Sequence, residues 1–173
     1  MDQTEDREEK SPKESEIETS LLMMPSHSNP TWRKSDGLEL GAVNGGAILN
    51  LIDNIAGLAA LRHCRTRVVT ASIDRMDFLN PVHVGELLIL KARVNYVGRT
   101  SMEVGVRVIR EDPYSAKQVI ATTAHLTFVA LGEDKHPCPV PPILPQTADE
   151  KRRYDNAKLR VQARKDLLTK MNR

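Results

Sequence analysis

Gly45-Gly46-Ala47-Ile48-Leu49-Asn50-Leu51-Ile52-Asp53-Asn54-Ile55-Ala56-Gly57-Leu58-Ala59-Ala60-Leu61 is the stretch that decides the fold of this chain. As a helix it would carry apolar side chains on most of its circumference, which is the pattern of a helix covered on nearly all sides. The other positions recur three and four residues apart and form one narrow small or polar stripe: Gly46, Asn50, Asp53, Asn54 and Gly57. The sequence therefore predicts a long buried helix with one polar seam.

Asp53 is the single charged residue of this stretch. Burial of a carboxylate costs several kcal/mol unless the group is paired or hydrogen-bonded, so Asp53 either has a partner or has a raised pKa. Both outcomes suit a general base. The alternative stays open that Asp53 caps a neighbouring loop and that the glycines only permit close helix packing.

The glycine pair at the start of the helix predicts a site for a carbonyl oxygen. Gly45 and Gly46 leave backbone N–H groups uncovered at the positive end of the helix dipole. Asp53 lies seven residues beyond Gly46, which is roughly 10 Å along the axis. One helix cannot place both groups on the same carbonyl. If they act together, the N–H groups and the carboxylate come from two subunits related by a two-fold axis.

Composition limits the class of protein. The 173 residues are 40% hydrophobic and 28% charged, which fits one globular domain with a tail. No apolar run approaches the roughly 18 residues of a membrane span, and the start of the chain lacks the pattern of a signal peptide. A cytoplasmic protein is therefore expected. The two cysteines are far apart and lack metal spacing, so we expect neither a disulfide framework nor a metal site.

Three regions are predicted along the chain. Residues 1–16 are strongly charged and are expected to be a solvated acidic arm. Residues 17–135 contain the central helix and a series of strands. Residues 136–173 begin with a Pro-rich extended segment and continue as a basic helix, opened by the capping box Thr147-Ala-Asp-Glu150. Its apolar positions at helical spacing are Tyr154, Ala157, Val161 and Leu168. We interpret its basic residues as a solvated face and expect no nucleic-acid partner.

Alternating residues predict strands within 67–79, 86–97, 102–108 and 118–131, and residues 17–24 predict a first strand or short helix. In the first of these strands, Val69, Ala71 and Ile73 share one face, and Thr70, Ser72 and Asp74 share the other. In the later strands Tyr96 is placed with Leu88, Leu90, Ala92 and Val94, and Ile120 with Ala124, Leu126, Phe128 and Ala130. Strands joined by short turns form an antiparallel meander. We predict an α+β fold in which a curved antiparallel sheet of about five strands wraps the central helix.

Several blocks in this order resemble the hotdog-fold acyl-CoA thioesterases. They are the glycine pair with its acid seven residues on, and residues 69–81, 98–105 and 126–131. Within that family the sequence is most similar to the bacterial acyl-CoA hydrolases and the cytosolic brain-type enzyme. The resemblance covers roughly residues 21–164, and it makes residues 17–135 a hotdog domain.

The resemblance implies hydrolysis of a fatty acyl-CoA to free acid and coenzyme A, with no cofactor beyond the substrate. Gly46, with Gly45, would polarise the thioester carbonyl, and Asp53 would activate water or attack directly. Thr70, or Ser72, would hydrogen-bond the acid or the water. The turn formed by Arg99, Thr100 and Ser101 would bind the phosphates of coenzyme A, and the alternative is an ordinary polar hairpin turn. The family implies a homodimer of hotdogs, often three dimers around an axis.

Two positions depart from the family pattern. Asn44 stands where relatives carry a histidine or an aromatic residue before the glycine pair, and it could supply an amide. Leu38 stands where relatives often carry an asparagine that positions water, although a shifted loop could bring Asn29 into that role. A non-catalytic acyl-CoA binding or sensing module therefore stays as the second hypothesis. A hotdog dehydratase is weaker, because none of the five histidines lies on the polar stripe.

Overall fold

A computed structural model describes residues 8–30, 41–74 and 76–171 of the chain. The helices and strands are, in chain order, β1 (Ile17–Leu22), α1 (Gly45–Cys64), β2 (Arg67–Ile73), β3 (Asp77–Phe78), β4 (Leu87–Val97), β5 (Ser101–Glu111), β6 (Gln118–Leu131) and α2 (Ala148–Met171). Short 3-10 turns lie at Pro12–Ser15 and Pro25–His27. The predicted α+β class is confirmed, with a central helix, an antiparallel sheet and a C-terminal helix.

Helix α1 begins and ends at residues suited to helix termini. The side chain of Asn44 accepts the Gly46 N–H at 2.7 Å, and Arg65 follows the last turn in the left-handed conformation with φ 57°. Alanine and isoleucine side chains along one face of α1 are buried in the core. Leu58 and Leu61 are 53% and 43% exposed. The prediction of a helix covered on nearly all sides is therefore wrong for the single protomer.

The sheet has the order β1-β4-β5-β6-β2, and β3 pairs with β6 beside this path. All these pairs are antiparallel. The predicted meander of four successive strands is confirmed for β4, β5 and β6. It is wrong for β2, which pairs with β6 and not with β4, and which lies at the opposite edge of the sheet from β1. The inner face of the sheet packs on α1, where a Cβ at Gly57 would lie 3.5 Å from the ring of Phe128.

A β-bulge between Thr70 and Ser72 changes which residues of β2 share a face. Paired residues on neighbouring antiparallel strands lie on the same face of the sheet. Thr70 pairs with Phe128, and Ile73 pairs with Leu126, so both lie on the inner side. The predicted grouping of Ile73 with Val69 and Ala71 is wrong, because the extra residue reverses the alternation beyond the bulge.

Two further bulges have the same effect on β4 and β6. Between Val94 and Tyr96 the register shifts so that Tyr96 pairs with Glu103 on the outer face. There its ring lies 5.3 Å from the ring of Tyr154 in α2. Ile120 pairs with Ile109 after a shift next to Val108, and it is 41% exposed. The inner-face positions predicted for Tyr96 and Ile120 are therefore wrong.

The predicted acidic arm is partly folded. Residues 1–7 lie outside the described residues, but Ser15 is fully buried. Its hydroxyl donates to the Pro12 carbonyl at 2.8 Å and accepts the Val94 N–H at 3.0 Å. Lys10 donates from Nζ to the His63 carbonyl at 2.8 Å. The prediction of a solvated arm fails for residues 10–16, because polar and charged side chains there find partners on the sheet and on α1.

The Pro-rich segment, residues 136–147, is here named the strap. It is extended, as predicted, and it crosses the C-terminal end of α1. The Cys138 N–H donates to the Ala130 carbonyl at 3.0 Å. Nε2 of the buried His63 donates to the Pro141 carbonyl at 2.9 Å. Burial lowers the pKa of His63, with the Pro141 hydrogen bond acting in the opposite direction, so a neutral imidazole holds the strap at neutral pH.

Helix α2 lies on the outer face of the sheet. The predicted capping box forms: the Glu150 N–H donates to Thr147 Oγ1 at 3.2 Å, and Glu150 Oε2 accepts the Thr147 N–H at 3.0 Å. Ala157 is fully buried, whereas Leu168 is 54% exposed. The apolar face predicted for this helix therefore ends before Leu168. Neither α1 nor α2 has both the length and the apolar character that a membrane crossing requires.

A buried ion pair joins α2 to the sheet. The Glu103 side chain is fully buried, and Arg160 donates to its two oxygens from Nη2 at 2.6 Å and from Nε at 3.2 Å. This bidentate geometry fixes the guanidinium on the outer face of β5. Among the described residues, Arg160 provides the positive charge that pairs with the buried Glu103 carboxylate.

We predict that Arg160→Ala lowers the free energy of unfolding by about 3 kcal/mol, because it leaves a buried carboxylate without its partner. Arg152→Ala on the same helix is the matched control. Arg152 pairs with Asp149 at the exposed surface, where loss of an ion pair costs at most about 1 kcal/mol. Urea denaturation followed by circular dichroism measures both. Equal losses for the two variants would contradict the importance of the Glu103 pair.

Candidate active site

Asp53 lies half-buried in the middle of the polar stripe of α1. Thr70 Oγ1, on the edge strand β2, donates to Asp53 Oδ1 at 2.8 Å. No described residue donates to the second carboxylate oxygen. Ser72, the predicted alternative, points its hydroxyl into a buried position without a partner among the described residues. The structure thus brings Thr70, and not Ser72, to Asp53.

The side chains next to Asp53 on the polar stripe of α1 are uncharged amides. On the same stripe, Asn54 Nδ2 donates to Asn50 Oδ1 at 3.1 Å, and both side chains are exposed. Within the described ranges Asp53 forms no ion pair and caps no loop. A carboxylate with one oxygen oriented by a hydroxyl and the other open can accept a proton or attack a carbon. This arrangement favours a chemical role over the loop-capping alternative.

The N-terminus of α1 differs from the sequence-based expectation in one respect. The Gly46 N–H is not uncovered, because it donates to Asn44 Oδ1 at 2.7 Å. The Gly45 N–H has no acceptor in the part of the chain that the structure describes. Only the oxygen of the Asn44 amide can accept a hydrogen bond, so its Nδ2 group remains as a donor, and it has no acceptor among the described residues. The groups available to a carbonyl oxygen are therefore Gly45 N–H and Asn44 Nδ2.

Phe78 forms an apolar wall beside these donors, and the sequence analysis did not single it out. Its Cζ atom lies 3.2 Å from where a Cβ at Gly45 would stand, and the side chain is 49% exposed. A side chain at Gly45 would press on the ring, which would have to move by a few tenths of an ångström, so the glycine favours this close contact. In the sequence, the glycine pair indicates that another group contacts the backbone closely, but it does not identify Phe78 as that group.

The other predicted candidate near the helix start is Asn29. Its N–H donates to the Ala42 carbonyl at 2.8 Å, and the neighbouring Ser28 bridges to Val43. Asn29 therefore lies beside the residues that lead into α1. Leu38 lies outside the described residues.

The predicted phosphate-binding turn joins β4 to β5. The Gly98 N–H donates to the Ser101 carbonyl at 2.8 Å, and the Thr100 carbonyl accepts the Ala130 N–H at 3.0 Å. The Arg99 carbonyl accepts the Val140 N–H of the strap at 3.1 Å. The Arg99 side chain is exposed, and its guanidinium has no partner among the described residues. Backbone hydrogen bonds fix the turn, and the Arg99 guanidinium stays available to a ligand as far as the described residues show.

Along the sheet, this turn and the start of α1 lie far apart within one protomer. Phe78, beside Gly45, pairs with Thr122, which pairs with Val108. Ser101 lies seven residues before Val108 on the same strand, a separation of roughly 23 Å. The turn lies closer to the Asp53 end, because Ser101 pairs with Val129, next to the partner of Thr70.

A cleft of about 360 Å³ lies on the outer face of the sheet, and it does not include Asp53. Its lining includes Lys91, Arg93 and Arg153. Lys91 pairs with Glu18 at 3.0 Å, and both arginines pair with Asp149. We interpret the cleft as part of the ion-pair network under α2. No three His, Cys, Asp or Glu side chains in the described ranges are arranged to hold a metal ion.

We predict that Thr70→Val lowers kcat about 10-fold, because the loss of one hydrogen bond to a charged group costs about 1.5–3 kcal/mol and part of this is recovered by water. Thr70→Ser keeps the hydroxyl and should restore most of the activity. Steady-state thiol release measures both variants. If Val and Ser variants turn over equally, the Thr70 hydroxyl does not orient Asp53.

Comparison with protein families and curated proteins supports a single family. Residues 40–117 match the model of the thioesterase superfamily. An uncharacterised acyl-CoA thioester hydrolase of Bacillus subtilis is 42% identical over 122 residues, which are 70% of this chain and 71% of that protein. The human cytosolic acyl coenzyme A thioester hydrolase is 37% identical over 121 residues. The match takes in 68% of this chain but 32% of the human protein.

Solved structures agree with these relatives. The acyl-CoA hydrolase of Staphylococcus aureus, in complex with butyryl coenzyme A, coenzyme A and coenzyme A disulfide, superposes with a TM-score of 0.84 at 34% identity. The alignment covers 95% of each chain. A crystal structure of an apo-hexameric acyl-CoA thioesterase gives a TM-score of 0.84 at 38% identity, covering 93% of this chain and 97% of that one.

A long helix packed against a curled antiparallel sheet is the hotdog fold of the thioesterases. The Bacillus subtilis relative and the Staphylococcus aureus structure match most of the chain at 42% and 34% identity. This protein belongs to the acyl-CoA thioester hydrolases of the thioesterase superfamily, a family of enzymes that cleave thioesters.

Proposed function

We propose that this protein hydrolyses fatty acyl-CoA to free fatty acid and coenzyme A, with Asp53 as the base or nucleophile. The observation that carries the proposal is the hydrogen bond from Thr70 to one oxygen of Asp53, with the other oxygen left open on the polar stripe. Enzymes of the same family act on acyl-CoA, as the names of the relatives state.

In this mechanism the open oxygen of Asp53 either takes a proton from an attacking water or attacks the thioester carbon itself. The C–S bond breaks as the tetrahedral centre collapses, and the thiolate of coenzyme A leaves and takes up a proton. If Asp53 attacks directly, this step leaves a mixed anhydride on Asp53, which water then hydrolyses to the free acid. Negative charge develops on the carbonyl oxygen, which Gly45 N–H and Asn44 Nδ2 stabilise, with the Gly46 N–H holding Asn44 in place.

The donors and the acid of one site come from two subunits. Gly45 and Asp53 belong to the same helix, eight residues and roughly 12 Å apart, which is too far for both to reach one carbonyl. The two elements that meet at Asp53 also carry exposed apolar side chains, with Leu58 at 53% on α1, and Val69 at 46% and Ile73 at 41% on β2. Strand β2 is an unpaired sheet edge. A two-fold dimer would cover this surface.

The proposal also includes a larger assembly and a binding site for the coenzyme A phosphates. Hexameric relatives support three dimers around an axis. The free guanidinium of Arg99, with the hydroxyls of Thr100 and Ser101, suits the phosphates of coenzyme A. The reaction needs no cofactor beyond its substrate. The cytosolic human relative supports a cytoplasmic location.

Thiol release from a series of acyl-CoA substrates, followed with a thiol reagent, tests the proposed reaction. We expect saturable release of coenzyme A with turnover that depends on acyl chain length. The exposed Asp155 on α2 offers a matched control, because Asp155→Asn makes the same chemical change as Asp53→Asn far from the site. Binding of acyl-CoA without any thiol release would contradict catalysis and favour the sensing alternative.

Mixed dimers test whether the site is shared between subunits. We predict that co-expression of Asp53→Asn subunits with Asn44→Asp subunits restores activity, because one of the two sites in each mixed dimer keeps both native groups. About half of the wild-type kcat per mixed dimer is expected, and each variant alone supplies the baseline. Differently tagged subunits allow the mixed dimers to be purified. Mixed dimers as inactive as the parents would place both groups in one subunit.

A further inference from the structure

The two cysteines of the chain, far apart in sequence, meet at one threonine hydroxyl. Thr66 Oγ1 donates to Cys64 Sγ at 3.3 Å and accepts from Cys138 Sγ at 4.0 Å. The two sulfur atoms therefore lie no farther apart than the sum of these distances. Both thiols are free, and the sequence contains no third cysteine.

The segments that carry the two cysteines are fixed relative to each other. Cys64 is the last residue of α1 and is 5% exposed. Cys138 lies in the strap, packs against the core and is half-buried. The neighbouring contact from His63 Nε2 to the Pro141 carbonyl, at 2.9 Å, joins the same two segments. The pairing is thus a property of the folded chain, with both sulfur atoms within hydrogen-bond distance of the same Thr66 hydroxyl.

We propose that Cys64 and Cys138 are a redox modification site, which closes to an intramolecular disulfide on oxidation by a peroxide. The Cys138 thiolate, on the more accessible side, attacks one peroxide oxygen and becomes a sulfenic acid while water is released. The Cys64 thiolate then attacks the Cys138 sulfur, the S–S bond forms, and hydroxide leaves and is protonated to water. Two thiols and one hydrogen peroxide give one disulfide and two waters.

The disulfide ties the end of α1 covalently to the strap. Because it closes a loop that contains β2 to β6, it restricts the unfolded chain more than the folded one. The oxidised protein should therefore unfold at a higher temperature than the reduced protein. Dithiothreitol should reverse the change, since the product is a disulfide and not a higher oxide.

Peptide mapping of the full-length protein tests the proposal. The folded protein is treated with equimolar hydrogen peroxide, remaining thiols are alkylated, and the digest is analysed without reductant. We expect a peptide pair linked through Cys64 and Cys138, with a mass lower by two hydrogens, from a protein that stays the same size on a non-reducing gel. The same treatment in guanidinium, where the proximity is lost, should give far less of this pair.

Cys64→Ser is the matched variant, because it keeps the size of a buried polar side chain and leaves Cys138 without its partner. We expect Cys138 in this variant to end as an alkylation-resistant acid or a disulfide between molecules, with no rise in unfolding temperature. Folded wild-type protein that keeps both thiols alkylatable would overturn the proposal. So would oxidation of Cys138 alone, or cross-links only between molecules.

Discussion

Asp53→Asn is expected to lower kcat for acyl-CoA hydrolysis by about 1,000-fold, within the range of removing a general base. The amide can neither take a proton from water nor attack the thioester carbon. Its Oδ1 atom can still accept the Thr70 hydroxyl, which in the native protein lies 2.8 Å from the carboxylate. The local structure should therefore stay intact. Thiol release at saturating substrate measures the effect.

Two controls separate chemistry from folding in this experiment. The unfolding temperature of Asp53→Asn should stay close to that of the native protein, and acyl-CoA should still bind. Asp155→Asn, on the exposed face of α2, should keep full activity. An Asp53→Asn enzyme with near-native kcat would show that this carboxylate does not take part in the reaction.

Asn44→Asp is expected to lower kcat by about 100-fold or more, in line with the loss of one oxyanion donor. Aspartate caps a helix as well as asparagine does, and a negative charge is favoured at a helix N-terminus. The hydrogen bond from the Gly46 N–H, 2.7 Å long in the native protein, should therefore persist. The variant replaces the donor Nδ2 with a negative oxygen that repels the developing charge.

Asn44→Ser discriminates between loss of the donor and repulsion. Serine also caps the helix but brings no charge, so its kcat should fall between those of the native and Asp variants. Stopped assays over a range of acyl-CoA concentrations give kcat and KM for both. If Asn44→Asp is as active as the native enzyme, the carbonyl oxygen is bound elsewhere.

The general architecture followed from the sequence because the two hydrophobic periods are strong and local. The run from Gly45 onward is long and apolar with one polar stripe at helical spacing, and apolar residues alternate along the β4-β5-β6 meander. The capping box at Thr147 is likewise a local pattern with a local consequence. Asp53 was found because a charge within an apolar run requires an explanation.

Some of the missed features depend on how elements pair, which the pattern within one element does not encode. A bulge is set by the pairing of two strands, so the alternation within β4 and β6 does not show which face Tyr96 and Ile120 take. The Asn44 cap differs, because asparagine before a helix is a common cap and its signal is local. The meeting of Cys64 and Cys138 requires the strap to return to α1.

The extra residue in β2 decides which face each later side chain takes. Thr70 reaches Asp53 from before the bulge, while Asp74 accepts a hydrogen bond from Arg164 at 2.8 Å from beyond it. A deletion at Ala71 would remove the bulge and leave Ser72 and Ile73 opposite their present partners, Thr127 and Leu126. The contacts on both sides of the sheet should therefore survive the loss of this one residue, whereas an inserted residue beyond the bulge would turn every later side chain to the opposite face.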